Sequence, residues 1–201
     1  GDVYKRQCRK IKNSDSGLSA MTCDEEYVNL LYGYQLARYL GQEKVQQLIR
    51  NCTWSQIPQA KEAADDIRIL FFAGYMSQSA PAQHPEGQDE VGDGEAVMVL
   101  QGSWVPNEVT EATESDDSWG FFPWPAVKAG TDGTEGVMVG AQGFGVTKDS
   151  QMKQEAFDFA YSICTGETDM KMTDAVNSIP ADTDNTCLLY TSPSPRDAHE
   201  S

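Results

Sequence analysis

Apolar positions behind Thr22 recur at helical spacing. Tyr27, Leu30, Leu31, Tyr34, Ala37 and Leu40 share one face, and Gly41 supplies a C-terminal stop. Thr22 and Glu25 have the spacing of a capping box, in which a hydroxyl and a carboxylate satisfy the free N–H groups of a helix start. A shorter helix is predicted over Glu43 to Arg50, followed by a break from Asn51 to Ser55. Ser55 caps a third helix with Pro58 in its first turn, where a missing N–H is harmless. Ala60, Ala63, Ala64, Ile67, Leu70 and Phe71 form its inner face, and Gly74 ends it. Ser77 to Asp93 is polar and carries Pro and Gly, the pattern of a solvated loop with one short helical turn.

The period then changes. Ala96 to Leu100 is an uncharged, β-favouring run between Gly94 and Gly102, too short for a helix and predicted to be a buried strand. Trp104 stands where that strand ends, beside Pro106. Such a position suits a ligand-facing aromatic on the loop leaving a parallel strand, and it equally suits core filling. Pro106 to Thr113 is predicted as a short helix, Asp116 to Ser118 as a turn, and Trp119 to Pro125 as an extended segment that Pro123 and Pro125 keep out of a sheet centre. Lys128 to Gly136 is a turn. Val137 to Thr147 reads as a strand whose Gly140, Gly143 and Gly145 suggest close backbone approach or a hinge. Ser150 opens a helix with Ala156, Phe157, Ala160, Tyr161 and Cys164 inward and Gly166 as its close. Glu167 to Val176 form a last helix, and Ser178 to Ala181 an irregular exit. No repeat is visible.

The two ends change the picture. Gly1 to Gln7 can be encoded by GGAGATGTGTATAAGAGACAG, and the reverse complement of that word, read one base in, encodes Cys187 to Pro193. One DNA word in opposite orientations at both ends is the expected trace of a transposon-end sequencing adapter. Residues 1–7 and 187–201 are therefore set aside as adapter-derived, and residues 8–186 are expected to be an internal piece of a longer gene. Within it, residues 8–118 would hold a lobe portion with a central strand at 95–101. Residues 119–148 would be the extended segment and hinge-region strand, and residues 149–186 the truncated C-terminal helices.

The net charge is −16, and the discarded ends carry equal numbers of acidic and basic groups, so the balance is a property of the insert. A chain this acidic lacks the Lys/Arg clusters that nucleic-acid phosphates require, so no nucleic-acid partner is expected. No apolar run approaches a membrane span. Cys8, Cys23, Cys52 and Cys164 show no C-x-x-C spacing and read as isolated thiols, with a disulfide such as Cys23–Cys52 left open.

Gly94, Glu95, Ala96, Val97 and Met98, followed by Gly102, Ser103 and Trp104, resemble the signature of extracellular solute-binding proteins of carbohydrate ABC transporters. The Trp119 to Pro125 segment, the glycine-bearing strand before Lys148 and Ser150, and the late Ile179, Pro180 and Ala181 occur in the same order as in that family. The resemblance implies an α/β fold of the periplasmic-binding type II class, here incomplete: mostly the second lobe plus the hinge-region strand. It implies an extracytoplasmic protein, free in the periplasm or lipid-anchored. Such a protein captures a sugar or oligosaccharide, closes two lobes around it and delivers it to ABC permease subunits, without a cofactor.

A sugar binder needs aromatic faces for the apolar C–H patches of a pyranose and fixed polar groups for its hydroxyls. The candidates are Trp104 and, at the start of the first long helix, Asp24, Glu25 and Tyr27, with Gln142 between the hinge glycines. Glu25 is equally explained as a helix cap and Tyr27 as core packing. Trp119, Phe121, Phe122 and Trp124 read as interlobe core before sugar platform. Enzyme readings have less support. A glycosidase needs two placed carboxylates, and in so acidic a chain any pair arises by chance. Neither a dinucleotide fingerprint nor a P-loop is present. His84 is the insert's one histidine, in a polar loop without a second ligand, and Asp182 and Asp184 show only the first positions of a calcium loop, so no metal is expected. A carbohydrate-active hydrolase fragment and a non-transport sugar sensor on the same fold remain as alternatives.

Overall fold

The computed structural model describes residues 2–14, 16–115, 118–130, 136–138, 140, 143–176 and 178–185, with side chains of the first helix from residue 5 onward. The chain divides into two compact units, Gly1–Met138 and Val139–Ser201.

In the first unit three extended segments run side by side and parallel. Residues 19–24 lie in the middle, joined on one side through Ser19–Ala96 and Thr22–Val99 and on the other through Met21–Met76 and Asp24–Ala82. The backbone bonds alternate between the two neighbours. Met21 N–H donates to Tyr75 O at 2.9 Å, Thr22 N–H to Met98 O at 2.9 Å, and Glu25 N–H to Ala82 O at 2.8 Å. The contacts remain isolated bridges, which is the form the expected central strand takes. Ala96 is buried, but Val97 is exposed and residues 98–100 are half-buried, so this run is an edge rather than a buried strand.

Parallel segments need crossover connections, and the helices supply them. Between residues 24 and 75 come a 3-10 turn (Glu25–Tyr27), α2 (Val28–Leu40), α3 (Gln42–Asn51), a second 3-10 turn (Trp54–Gln56) and α4 (Pro58–Phe72); α1 (Asp2–Lys12) precedes the sheet and α5 (Glu86–Gly92) bridges 82 to 96. Pro58 occupies the first turn of α4, as its sequence predicts, although Ile57 rather than Ser55 stands at the cap. The capping box at Thr22 does not form. Thr22 is fully buried in the parallel pairing with Val99, and its place there prevents it from capping a helix that begins only at Val28.

The core joins sheet and helices: Leu31 of α2, Ile67 and Leu70 of α4, Cys8 of α1, and Met21, Cys23 and Met76 of the extended segments pack with Trp124. A second cluster (Leu36, Leu48, Ala60, Ala63) joins α2, α3 and α4. Polar struts cross the same layer. Asp66 on α4 accepts from Lys5, from Gln35 Nε2 at 2.6 Å and from the Tyr39 hydroxyl at 2.7 Å. Burial would raise the Asp66 carboxyl, but Lys5, Tyr39 and Gln35 together hold it below the usual carboxylate range. Gln35 Oε1 accepts the Trp124 indole N–H at 2.9 Å, and the buried Arg38 donates to the carbonyls of Trp124 and Gly136, both at 2.9 Å. These bonds fasten Trp124 and Gly136 onto α2. Trp124 is thus core of the first unit itself, whereas Phe121 and Phe122 are exposed. After Gly102 the chain forms α6 (Val105–Thr113).

The second unit contains α7 (Lys153–Ile163) and α8 (Gly166–Ala175). Asp169 of α8 accepts from the backbone N–H of Ala181 and Asp182, each at 3.1 Å, and from Asn185 Nδ2 at 2.9 Å, tying residues 178–185 to the helix. Phe157 and Tyr161, expected to face inward, stack on each other at 6.1 Å and remain exposed. Gly166 begins α8 with φ +59° instead of closing α7. Residues 143–147 of the expected hinge strand are exposed, form no regular element and have no sheet partner among the described residues.

Candidate ligand-binding site

Three parallel segments present three carboxyl ends on one edge, the location where open α/β sheets place ligands. The chain leaves residue 24 through Glu25 and Tyr27, residue 82 through His84, and residue 101 through Gly102 and Trp104. Four of the residues singled out from sequence therefore share this edge: Trp104, Asp24, Glu25 and Tyr27. Gln142 lies outside the described residues.

Trp104 stands at the N-cap of α6 with 44 % of its surface exposed. Its ring lies close against Gly102: a Cβ added there would come within 2.2 Å of ring carbons Cη2 and Cζ3. The glycine at this position is thus explained by the ring. Core filling is the reading of Trp104 that its exposure disfavours.

Asp24 has no exposed surface. Its Oδ1 accepts the Gly87 N–H at 2.7 Å, and its Oδ2 accepts from Gln101 Nε2 at 3.3 Å and lies 3.2 Å from His84 Nδ1. One carboxylate gathers the loops that leave all three segments. Gly87 is required by this closeness, since a Cβ there would sit 2.5 Å from Asp24 Oδ1. Gln101 also donates to Gln88 Oε1 at 3.1 Å, and the buried Gln88 donates to Glu108 on α6 at 2.9 Å. Tyr27 is half-buried with its ring edge-on to His84, centroids 5.9 Å apart, and Glu25 is exposed.

Two cavities flank the edge. One of about 400 Å³ runs beside residues 96–102, walled by Met21, Met98, Leu100, Trp119, Phe121 and Trp124. Its side chains are mostly apolar, with Gln101 and Ser118 as the polar exceptions. The other, about 240 Å³, lies between α5 and α6 and is lined by His84, Gln88, Asp89, Glu108 and Glu111 among others. Burial pushes the Asp89 carboxyl up; Asp93 and Asp24 add to the rise, against the opposing effect of His84. Asp89 Oδ1 and Glu90 Oε2 are buried without a partner among the described residues. Among the described residues no cluster of three or more His, Cys, Asp or Glu has the arrangement of a metal site. Asp182 is occupied with the N–H groups of Gly166 and Asp184, which accounts for it without an ion.

The sequence alone gives His84 no second ligand and does not single out Gln101, Gln88 or Gly87. Nothing local marks them. They become a group only when parallel pairing brings residues 24, 82 and 99 together.

A family model described as bacterial extracellular solute-binding protein matches residues 59–185. No curated protein sequence matches the chain. Among solved structures, one described in work on xylan utilization by the thermophilic bacterium Caldanaerobius polysaccharolyticus superposes with a TM-score of 0.70 at 18% identity, over 96% of this chain and 52% of that one. The putative binding protein MsmE of Bacillus subtilis subsp. subtilis strain 168, in an open conformation, superposes with a TM-score of 0.67 at 17% identity, over 93% of this chain and 49% of its own. The chain spans about half the length of either neighbour, and the likeness is one of fold: part of an α/β binding-protein architecture. With the family match covering well over half of its residues, the chain belongs to the bacterial extracellular solute-binding proteins.

Proposed function

We propose that the chain is most of one lobe of a carbohydrate-capturing receptor of type II architecture, with Val137 to Thr147 as the strand returning through the hinge. The receptor works outside the cytoplasm and hands its sugar to the permease of an ABC importer. The observation that carries this reading is the partly exposed Trp104, its ring close against Gly102, on the same sheet edge as the Asp24-centred polar cluster. An aromatic face beside fixed polar groups is what a pyranose needs. Glu25 and Tyr27 stand at the same edge as further contacts, Gln142 is proposed to reach the ligand from the hinge strand, and no group is assigned to chemistry on the ligand.

Titration of the purified chain with neutral trisaccharides, xylotriose among them, tests the proposal through the indole N–H resonances of its tryptophans. A single lobe is expected to bind on the order of millimolar, because half of the contacts of a closed cleft are absent. Trp104→Ala should weaken binding about tenfold, read from the remaining tryptophans, and the saccharide should be recovered intact. Failure of every saccharide to bind, or its cleavage, would overturn the reading.

A further inference from the structure

The strongest unassigned feature is a histidine backed by a fully buried carboxylate. His84 keeps 30% of its side chain exposed, opens onto the cavity between α5 and α6, and points Nδ1 at Asp24 Oδ2 from 3.2 Å. Asp24 accepts from two further donors, the Gly87 N–H and Gln101 Nε2. An ionised carboxylate can only accept, so a neutral His84 ring carries its proton on Nδ1 and leaves Nε2 as an acceptor. The Tyr27 ring, edge-on at 5.9 Å, limits the ring's freedom from another side.

We propose that His84 is the hydrogen-bond acceptor that reads a sugar hydroxyl at this site, with Asp24 as the positioning residue that fixes its ring and tautomer. This rests on the carbohydrate reading above and deepens it. Asp24, a ligand candidate by sequence, acts through His84 because it has no exposed surface with which to touch a ligand. The ligand class follows from the sign of the surroundings. Asp89, Glu108 and Glu111 line the same cavity, and neither cavity at this edge is lined by Lys or Arg. Acceptors without a cation select groups that donate and disfavour a ligand carboxylate or phosphate. The site takes a neutral, hydroxyl-bearing saccharide unit and rejects a uronic acid.

The test uses the whole chain with xylotriose and an aldouronic acid of similar size as probes, at a pH well above the ordinary imidazole range. Ring 15N spectra are simple because the chain has two histidines, His84 and His199, and His84→Gln assigns them. The expected results are an unprotonated Nε2 that shifts on adding xylotriose, a roughly five- to tenfold weaker affinity in His84→Gln, and weaker binding of the acid. Asp24→Asn should move the ring proton to Nε2, since its amide donates to Nδ1. Should that variant fail to fold, His84→Gln and the wild-type spectra decide alone. Xylotriose that moves the Trp104 indole while the His84 ring stays unchanged and His84→Gln binds normally would overturn this inference and leave the carbohydrate reading intact. Equal binding of the acid would overturn the ligand class. If no probe moves either signal, both fall.

Discussion

Gly102→Ala adds one methyl group beneath the Trp104 ring. The new carbon would lie 2.2 Å from Cη2 and Cζ3 and 2.5 Å from Cε3, more than an ångström inside van der Waals contact. The ring cannot keep its place. With 44 % of its surface already exposed, Trp104 is free to swing outward instead of straining the core, so stability should fall by about 1 kcal/mol, the low end for overpacking. Binding should suffer more. A tryptophan offers up to about 250 Å²; the exposed 44 % is about 110 Å², and covering one face, half of that, at roughly 25 cal/mol per Å² gives about 1.4 kcal/mol, a tenfold change in affinity. The assay is titration of wild type, Gly102→Ala, Trp104→Ala and the double variant with a neutral trisaccharide, alongside urea unfolding. The two single variants should lose about the same affinity, and the double variant should lose no more than Trp104→Ala alone. Gly102→Ala binding like wild type, or additive losses in the double variant, would show that the glycine does not act through the ring.

Three further outcomes follow from the interior. Leu70 has no exposed surface and belongs to the cluster that joins helices to sheet, so Leu70→Ala should lower the stability of the first unit by about 2–5 kcal/mol in urea unfolding. Burial pushes the thiols of Cys8 and Cys23 up to about 11 and about 12, while Cys52 is exposed; alkylation at pH 8 followed by mass mapping should label Cys52 and reach Cys8 and Cys23 only after denaturation. Burial alone would raise the Asp169 carboxyl, but Asn185 Nδ2 and the N–H groups of Ala181 and Asp182 hold it below the usual range. Its contribution is therefore present above the ordinary carboxylate pKa and lost as the pH falls through the lower, folded value. Hydrogen exchange should show Ala181 and Asp182 losing protection only as the pH falls below the ordinary carboxylate range and, in Asp169→Ala, at every pH.

The helices were legible because each buries a stripe that local periodicity announces. Ala60, Ala63, Ile67 and Leu70 line the inner face of α4, as their spacing requires. The starts of helices were less legible, since a cap competes with every other use of the same side chain. Thr22 is committed to a parallel pairing with a residue far along the chain, which no short window reveals. The inward face expected of α7 is met only in part. Ala156, Ala160 and Cys164 are half-buried, whereas Phe157 and Tyr161 keep helical spacing but stay exposed among the described residues, and periodicity describes only a helix's side of a contact.

The site divides along the same line. Trp104 was legible because a glycine, a short β-favouring run and an aromatic fall within a few residues of one another. Asp24 was legible as a residue and not as a role. Its sequence neighbours suggest a group at a helix start, free to meet a ligand, whereas the structure closes it behind Gly87, His84 and Gln101, which come from two other parts of the chain. A buried carboxylate with three converging donors is a fixed point, and what it fixes decides what the surface can recognise. The groups that face outward, His84 and Trp104, have no local pattern that pairs them. They are brought to one edge because residues 19–24 run between their two segments, and the sequence of that middle segment, with Thr22 and Asp24 turned inward, holds the two sides together.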